Sequence, residues 1–287
     1  MRHMAKFQKR AGRSRAGTAG ITVLLLIIAL IMALPFVYIV VQSLKPMEEI
    51  FIFPPRFWVK RPTLNNFRML FGISSSFYVP FSRYAFNSIF VVLLTTAIQV
   101  IFASMAAYPL AKHRFRGRNL LFNLVVVGLL FTPQVTMLPQ YIVLSYLGII
   151  DTYAALILPS MAYPLGLYLM RQNLIAFPDS LLESARIDGA PERTIFWRVV
   201  MPVMKPVWMT IIVFSFGTLW NRSEANLIYT ESLKGLPTML QQISSSGLAR
   251  MGVSAATSVI LIIPPILIFL LTQSKVMETM ASAGMKE

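Results

Sequence analysis

The chain has 287 residues, 56% of them hydrophobic and only 13% charged, which is too apolar and too charge-poor for a water-soluble domain of this length. The absence of cysteine excludes disulfides, thiolate metal sites and a cysteine nucleophile, and the two histidines, His3 and His113, sit in a basic tail and a basic loop that offer no metal site or triad. Lysine and arginine outnumber the acids 26 to 11, and no GxxxxGKS or GxxxxGKT run is present to cradle ATP.

A lipid bilayer is therefore the expected solvent, and charges mark the ends of the spans. A helix rises 1.5 Å per residue, so about 20 uncharged residues cross a hydrocarbon core of about 30 Å. After a basic tail over residues 1–20, the first span is centred on Ile21 to Val41, between Arg15 and Lys45. It is too long for a signal h-region, and no small-residue cleavage site follows it. An outer segment, residues 42–83, leads to a second span from Tyr84 to Ala111, between Arg83 and Lys112. The stretch from Asn119 to Met170 is interrupted by Asp151 and holds two spans. One covers Asn119 to Leu138, where Pro133 and Pro139 are expected to end or kink the helix, and the other Thr152 to Met170. A loop over residues 171–205 precedes a short fifth span, Pro206 to Asn221. The sixth runs from Met251 to Ser274, ahead of a tail over residues 275–287. The expected fold class is all-α: a polytopic membrane protein with six transmembrane helices, five of them forming a core over residues 84–274.

Six spans put both termini on one side, and the short connections say which. The tail carries Arg2, Lys6, Lys9, Arg10, Arg13 and Arg15, and the connection KHRFRGR adds Lys112, Arg114, Arg116 and Arg118. The connection from Pro139 to Asp151 has no lysine or arginine. The positive-inside rule then places the tail, the KHRFRGR loop, the 171–205 loop and the C-terminus in the cytoplasm. The basic excess is read as topogenic anchoring at the lipid surface, not as a nucleic-acid interface.

The 171–205 loop is too structured for a plain connector: RQNLIAFPDSLLESARIDGAPERTIFWRVVMPVMKP runs from Arg171 into the fifth span. Pro178, Asp179 and Ser180 start a helix, and Ser180 with Glu183 fits the capping box, in which each side chain satisfies the other's free backbone N–H. Leu181, Leu182, Ala185 and Ile187 alternate with polar residues, and Gly189 stops or bends the helix. Pro191 opens a second turn, and Pro202 and Pro206 mark the approach to span five. Small residues at Ala185, Gly189 and Ala190 would let a second protein approach the backbone; the plainer reading is a membrane-skimming amphipathic helix.

This segment resembles the EAA loop of the membrane subunits of ATP-binding-cassette importers, whose pattern is E-A-A, three residues, G, nine residues, I-x-L-P. Here it stands as Glu183-Ser184-Ala185, Arg186 to Asp188, Gly189, Ala190 to Arg198, and Val199-Val200-Met201-Pro202, with the spacing kept throughout and Ser184, Val199 and Met201 as mild departures. The form ARIDGA, followed by Phe196-Trp197-Arg198, is similar to the carbohydrate-uptake branch, the maltose-importer type. NSIFVV at Asn87, AAYPLAKHRFRGR at Ala106 to Arg118, TPQVTMLPQY at Thr132 to Tyr141, LGIIDTYAALILP at Leu147 to Pro159 and LWN at Leu219 to Asn221 agree. The resemblance covers about Leu64 to Glu287. Arg222, Ser223 and Glu224 depart from it, as does the C-terminal SKVMETMASAGMKE.

The resemblance implies a permease subunit for sugars or oligosaccharides in the bacterial cytoplasmic membrane, itself no enzyme and without a cofactor of its own. Its implied partners are a second permease subunit, a dimer of cytoplasmic ATPases that bind the ATP and Mg, and an extracytoplasmic solute-binding protein met by the outer segment between spans five and six. The loop would be the coupling helix. Glu183 would fix its N-terminus, Ala185 and Gly189, with Ser184 and Ala190, would form the close-contact surface, and Asp188 a polar contact or local cap. Asn87, Gln99, Asn123, Gln134 and Asn221, amides within apolar spans, are candidates for the translocation path. The alternatives are a permease for a non-sugar solute and a stand-alone secondary transporter; against the latter, no ionisable residue sits at mid-span.

Overall fold

The computed structural model describes residues 15–72, 79–223, 225–247 and 250–284, and among them the regular structure is entirely helical. The remainder of the N-terminal tail, residues 1–14, lies outside the described residues, as do Glu224 and residues 285–287. The first apolar run folds as α1 (Arg15–Ser43), and the segment over residues 42–83 holds α2 (Met47–Ile50) and α3 (Asn65–Gly72). The second span is α4 (Phe81–Lys112), an unbroken helix of 32 residues. At 1.5 Å per residue it is about 48 Å long. Proline at position 109 falls in its last turns, where the lost hydrogen bond is tolerated.

The third span, expected over Asn119 to Leu138 with its helix ended or kinked at Pro133 and Pro139, breaks at the first of these prolines and extends to Tyr146. It forms α5 (Arg118–Gly128) and α6 (Pro133–Tyr146), bent by 106° at the break. Pro133 causes the break, because it has no N–H to give and disfavours helical geometry in the residue before it. Pro139 lies inside α6 without ending it. The fourth span is α7 (Tyr153–Met161) continued by α8 (Pro164–Ile175), with Pro164 at the start of the second piece. The loop that follows contains α9 (Asp179–Ile187), α10 (Glu192–Thr194), a π-helical stretch Ile195–Val200 and α11 (Met201–Val203).

The fifth span, α12 (Lys205–Trp220), joins the preceding helix at 75°. A 3-10 turn, Glu231–Leu233, and α13 (Leu236–Ser245) fill the segment between the fifth and sixth spans. The sixth span, α14 (Met251–Gly284), continues beyond its expected end at Ser274, and Lys275 does not interrupt the backbone helix. Among the described residues, four helical stretches are long and apolar enough to cross a membrane, and the two bent pairs raise the number to six if each is one span.

Packing divides the molecule into two ends. α4 lies centrally against α7, α8 and α12, and α12 packs on α14, while α1 touches the rest mainly along α14. At one end, Tyr108, Leu174, Phe177, Leu182, Ile195 and Phe196 form a buried cluster around the 171–205 loop. At the other, Tyr84, Leu70, Trp220, Met239 and Ile243 bury α13 against α3 and α14. Asp151, at φ 61°, ties that end together: its carboxylate accepts the N–H groups of Tyr229 and Thr230, both at 2.8 Å, and the Thr230 hydroxyl. These bonds, the Thr230 hydroxyl's first among them, hold the Asp151 carboxyl below its ordinary range.

Candidate functional site

The loop between the fourth and fifth spans is built on α9. Its first turn differs from the expected capping box: the helix begins at Asp179 behind Pro178, which is extended (φ −61°, ψ 124°), and no side chain caps it. Ser180 therefore lies inside the first turn, where its carbonyl accepts the Ser184 hydroxyl at 2.9 Å. Glu183 is exposed and does not reach back to the N-terminus. Asp179 takes over the electrostatic part, since a carboxylate in the first turn complements the helix dipole. It also accepts Lys112 Nζ at 2.6 Å, whose hydrogen bond and charge hold the Asp179 carboxyl below its ordinary value.

The two faces of α9 separate cleanly. Leu182 is 2% exposed and packs into the cluster with Phe177, Ile195 and Phe196, and Ala185 and Ala190 lean on the same cluster. Ile187, by contrast, is 86% exposed, and Leu181 is also uncovered. Asp188 and Ser184 share that outer face. At the far end Gly189 adopts φ +77°, with its N–H on the Arg186 carbonyl and that of Ala190 on the Ala185 carbonyl, both at 3.0 Å. This is the left-handed helix terminus that glycine alone adopts cheaply. Within 4 Å of a Cβ at Gly189 there is nothing.

A clamp invisible in the sequence fixes this unit to the end of α4. Tyr108 donates its hydroxyl to Glu192 Oε2 at 2.8 Å, and Arg186 donates to Glu192 Oε1 at 2.9 Å. Burial pushes the Glu192 carboxyl up, but the hydrogen bonds from Tyr108 and Arg186 and the Arg186 charge outweigh it and leave it below its ordinary value. Lys112 adds a bond to the Phe177 carbonyl at 2.6 Å, and buried Arg171 donates to the Leu110 carbonyl at 3.2 Å. The available signal was scarcity: with only 11 acids in the chain, each retained carboxylate invites a search for its partner.

Of the amides expected along a path, two are buried and occupied within the chain. Asn87 donates to the Ser232 and Lys234 carbonyls, each at 2.9 Å, and accepts the Tyr153 hydroxyl at 2.7 Å. Gln99 is bonded to the Ser160 carbonyl and to the Ser215 hydroxyl, joining α4 to α7 and α12. Asn123 on α5, Gln134 at the start of α6 and Asn221 at the end of α12 are exposed, and Asn221 donates to the Gly217 carbonyl at 2.9 Å. The structure thus brings the six residues singled out in the 171–205 loop onto one helix and its cap, and leaves the five amides on separate elements.

Comparison with known proteins follows the same lines. The model of a family described as the binding-protein-dependent transport system inner membrane component matches residues 69–278. Protein LplC of Bacillus subtilis is 38% identical over 218 residues, 74% of this chain and 70% of its own. The arabinooligosaccharides transport system permease protein AraQ of Bacillus subtilis is 31% identical over 270 residues, 93% of this chain and 95% of its own. Among solved structures, a bacterial ABC transporter involved in the import of the acidic polysaccharide alginate superposes with a TM-score of 0.78, covering 94% of this chain and 99% of that one at 23% identity, which speaks for the fold.

Proposed function

The chain belongs to the family of binding-protein-dependent transport system inner membrane components and, like its relatives, is a carbohydrate-type ABC importer permease, and on that premise we propose that it carries sugars or oligosaccharides inward with a second permease subunit. The observation that carries the mechanism is α9 itself. One of its faces is packed and clamped to the spans, while Leu181 and Ile187 stand uncovered on the other. A groove on a cytoplasmic ATPase would take that apolar face, together with Glu183, Ser184, Asp188 and Gly189. ATP and Mg are bound by the ATPase dimer, and this chain supplies motion: closure of the dimer displaces α9, tilts the spans and switches access to a central path.

The basic KHRFRGR loop and the clamp on α4 support a cytoplasmic position for this end and for both termini. The outer segment with α13 then faces the solute-binding protein. Asn123, Gln134 and Asn221, exposed polar groups on otherwise apolar spans, suit a path completed by the second permease. Neutral amides fit a polyhydroxylated solute better than a phosphorylated one, which calls for arginine or lysine.

The test is ATP hydrolysis by the assembled importer in lipid vesicles. Binding protein loaded with a neutral oligosaccharide is expected to stimulate it, and I187E to abolish the stimulation while the subunits still co-purify. Stimulation that survives I187E contradicts the docking face. Stimulation by glycerol phosphate but by no sugar contradicts the substrate class, and uptake without any ATPase would make the chain a secondary transporter.

A further inference from the structure

Each end of α4 carries a buried tyrosine that donates to a glutamate of the loop beyond it. Tyr84, 1% exposed, donates to Glu231 Oε1 at 2.6 Å in the outer segment, and Tyr108, 6% exposed, donates to Glu192 Oε2 at 2.8 Å in the α9 loop. The two glutamates are held in the same way from their other side, Glu231 by Lys234 and Glu192 by Arg186. Further bonds reinforce each end. Outside, Asn87 binds the Ser232 and Lys234 carbonyls and Ser88 Oγ accepts the Leu236 N–H at 2.8 Å, so the start of α13 hangs from α4. Inside, Lys112 holds Phe177 and Asp179 at the start of α9.

Between the two tyrosines α4 contains neither glycine nor proline, so nothing in it is built to bend. They are 24 residues apart, about 36 Å along a helix rising 1.5 Å per residue, a little more than the thickness of the hydrocarbon core. We infer that α4 is a rigid strut joining the α9 loop to the α13 loop, with Tyr108 and Tyr84 the positioning residues that fasten its ends. A displacement imposed on α9 then arrives at α13 without being absorbed on the way, and docking at α13 is felt at α9. The inference rests on the proposed importer function and adds to it which helix carries the coupling, and through which side chains.

The test uses Y84F, Y108F and the double variant in the assembled importer. Phenylalanine keeps the packing and leaves both glutamates paired with their cations, so assembly and basal ATP hydrolysis are expected to stay within about twofold, while stimulation by loaded binding protein falls about tenfold, the effect of one hydrogen bond to a charged group. Because the two bonds lie in series on one element, the double variant is expected to be no worse than the weaker single variant. A fluorophore on S245C, in α13, separates coupling from simple loosening: its response to ATP is expected in the parent and lost in both variants.

Full stimulation and a full S245C response in Y84F or Y108F would overturn the strut. Losses that multiply in the double variant would overturn it too, since they would mean independent routes. A parent complex that does not assemble or is not stimulated overturns the importer reading and takes the strut with it; a stimulated parent with unaffected variants removes the strut alone.

Discussion

Gly189 and Asp151 both hold positive φ, for opposite reasons. Gly189, at φ +77° with open space around it, ends α9 by conformation alone. G189A is therefore expected to lower the stability of the loop by about 1 kcal/mol, read as a fall in the melting temperature of the purified protein, although no atom is displaced. That role was legible in sequence, because a glycine closing an amphipathic run has few other uses. The start of the same helix was not: Ser180 and Glu183 have the capping spacing, but Pro178 fixes an extended residue one step earlier and moves both inside the helix. Asp151 tolerates φ 61° because its carboxylate collects three hydrogen bonds from Tyr229 and Thr230. Its folded pKa is depressed, so the unfolded chain binds more protons in the window below the ordinary carboxyl value near 3.9. This contribution is complete above that value and disappears as pH falls through the folded one. In acid titrations followed by fluorescence of the α13 segment, D151N is expected to lack this acid step and to be less stable than the parent at neutral pH.

Elements were easier to foresee as apolar runs than as shapes. Charges marked the second run closely, since the α4 boundaries, Phe81 and Lys112, lie next to the charges that bracket it. Pro133 breaks the third run, whereas Pro35, Pro139 and Pro159 sit inside helices that continue, so a proline in the sequence does not by itself say where a helix stops. Burial separates the cases of α9: Leu182 and Ile187 look alike in sequence, yet one is core and the other is bare. L182A is expected to cost about 2–5 kcal/mol by opening a cavity beneath α9, measurable in denaturant unfolding of the detergent-solubilised protein. Gly252 is a second joint, where α14 meets the outer segment. A Cβ there would stand 2.5 Å from Asn66 Oδ1, and the Asn66 amide is held by the Ser43 and Lys45 carbonyls at 2.8 Å. G252A is expected to break one of those bonds and lower thermal stability, and the penalty should largely vanish when N66A is made first.

At the scale of the whole molecule, the function class was readable because EAA-type spacing is local, confined to about twenty residues after Glu183. The devices that fasten the loops were not readable, since Tyr108 and Glu192 are 84 positions apart and Tyr84 and Glu231 are 147 apart. Periodicity has no means of pairing residues at such distances. The large bare apolar surface of α1, where Leu24, Leu30 and Met32 are exposed, is ordinary for a chain whose solvent is lipid. The account as a whole requires α9 to face the cytoplasm and meet an ATPase. Because the chain has no cysteine, I187C can be labelled alone with a membrane-impermeant thiol reagent. Labelling is expected only in inside-out vesicles and should be blocked when the ATPase subunits are bound; labelling from the outer side, or labelling undiminished by the ATPase, would contradict it.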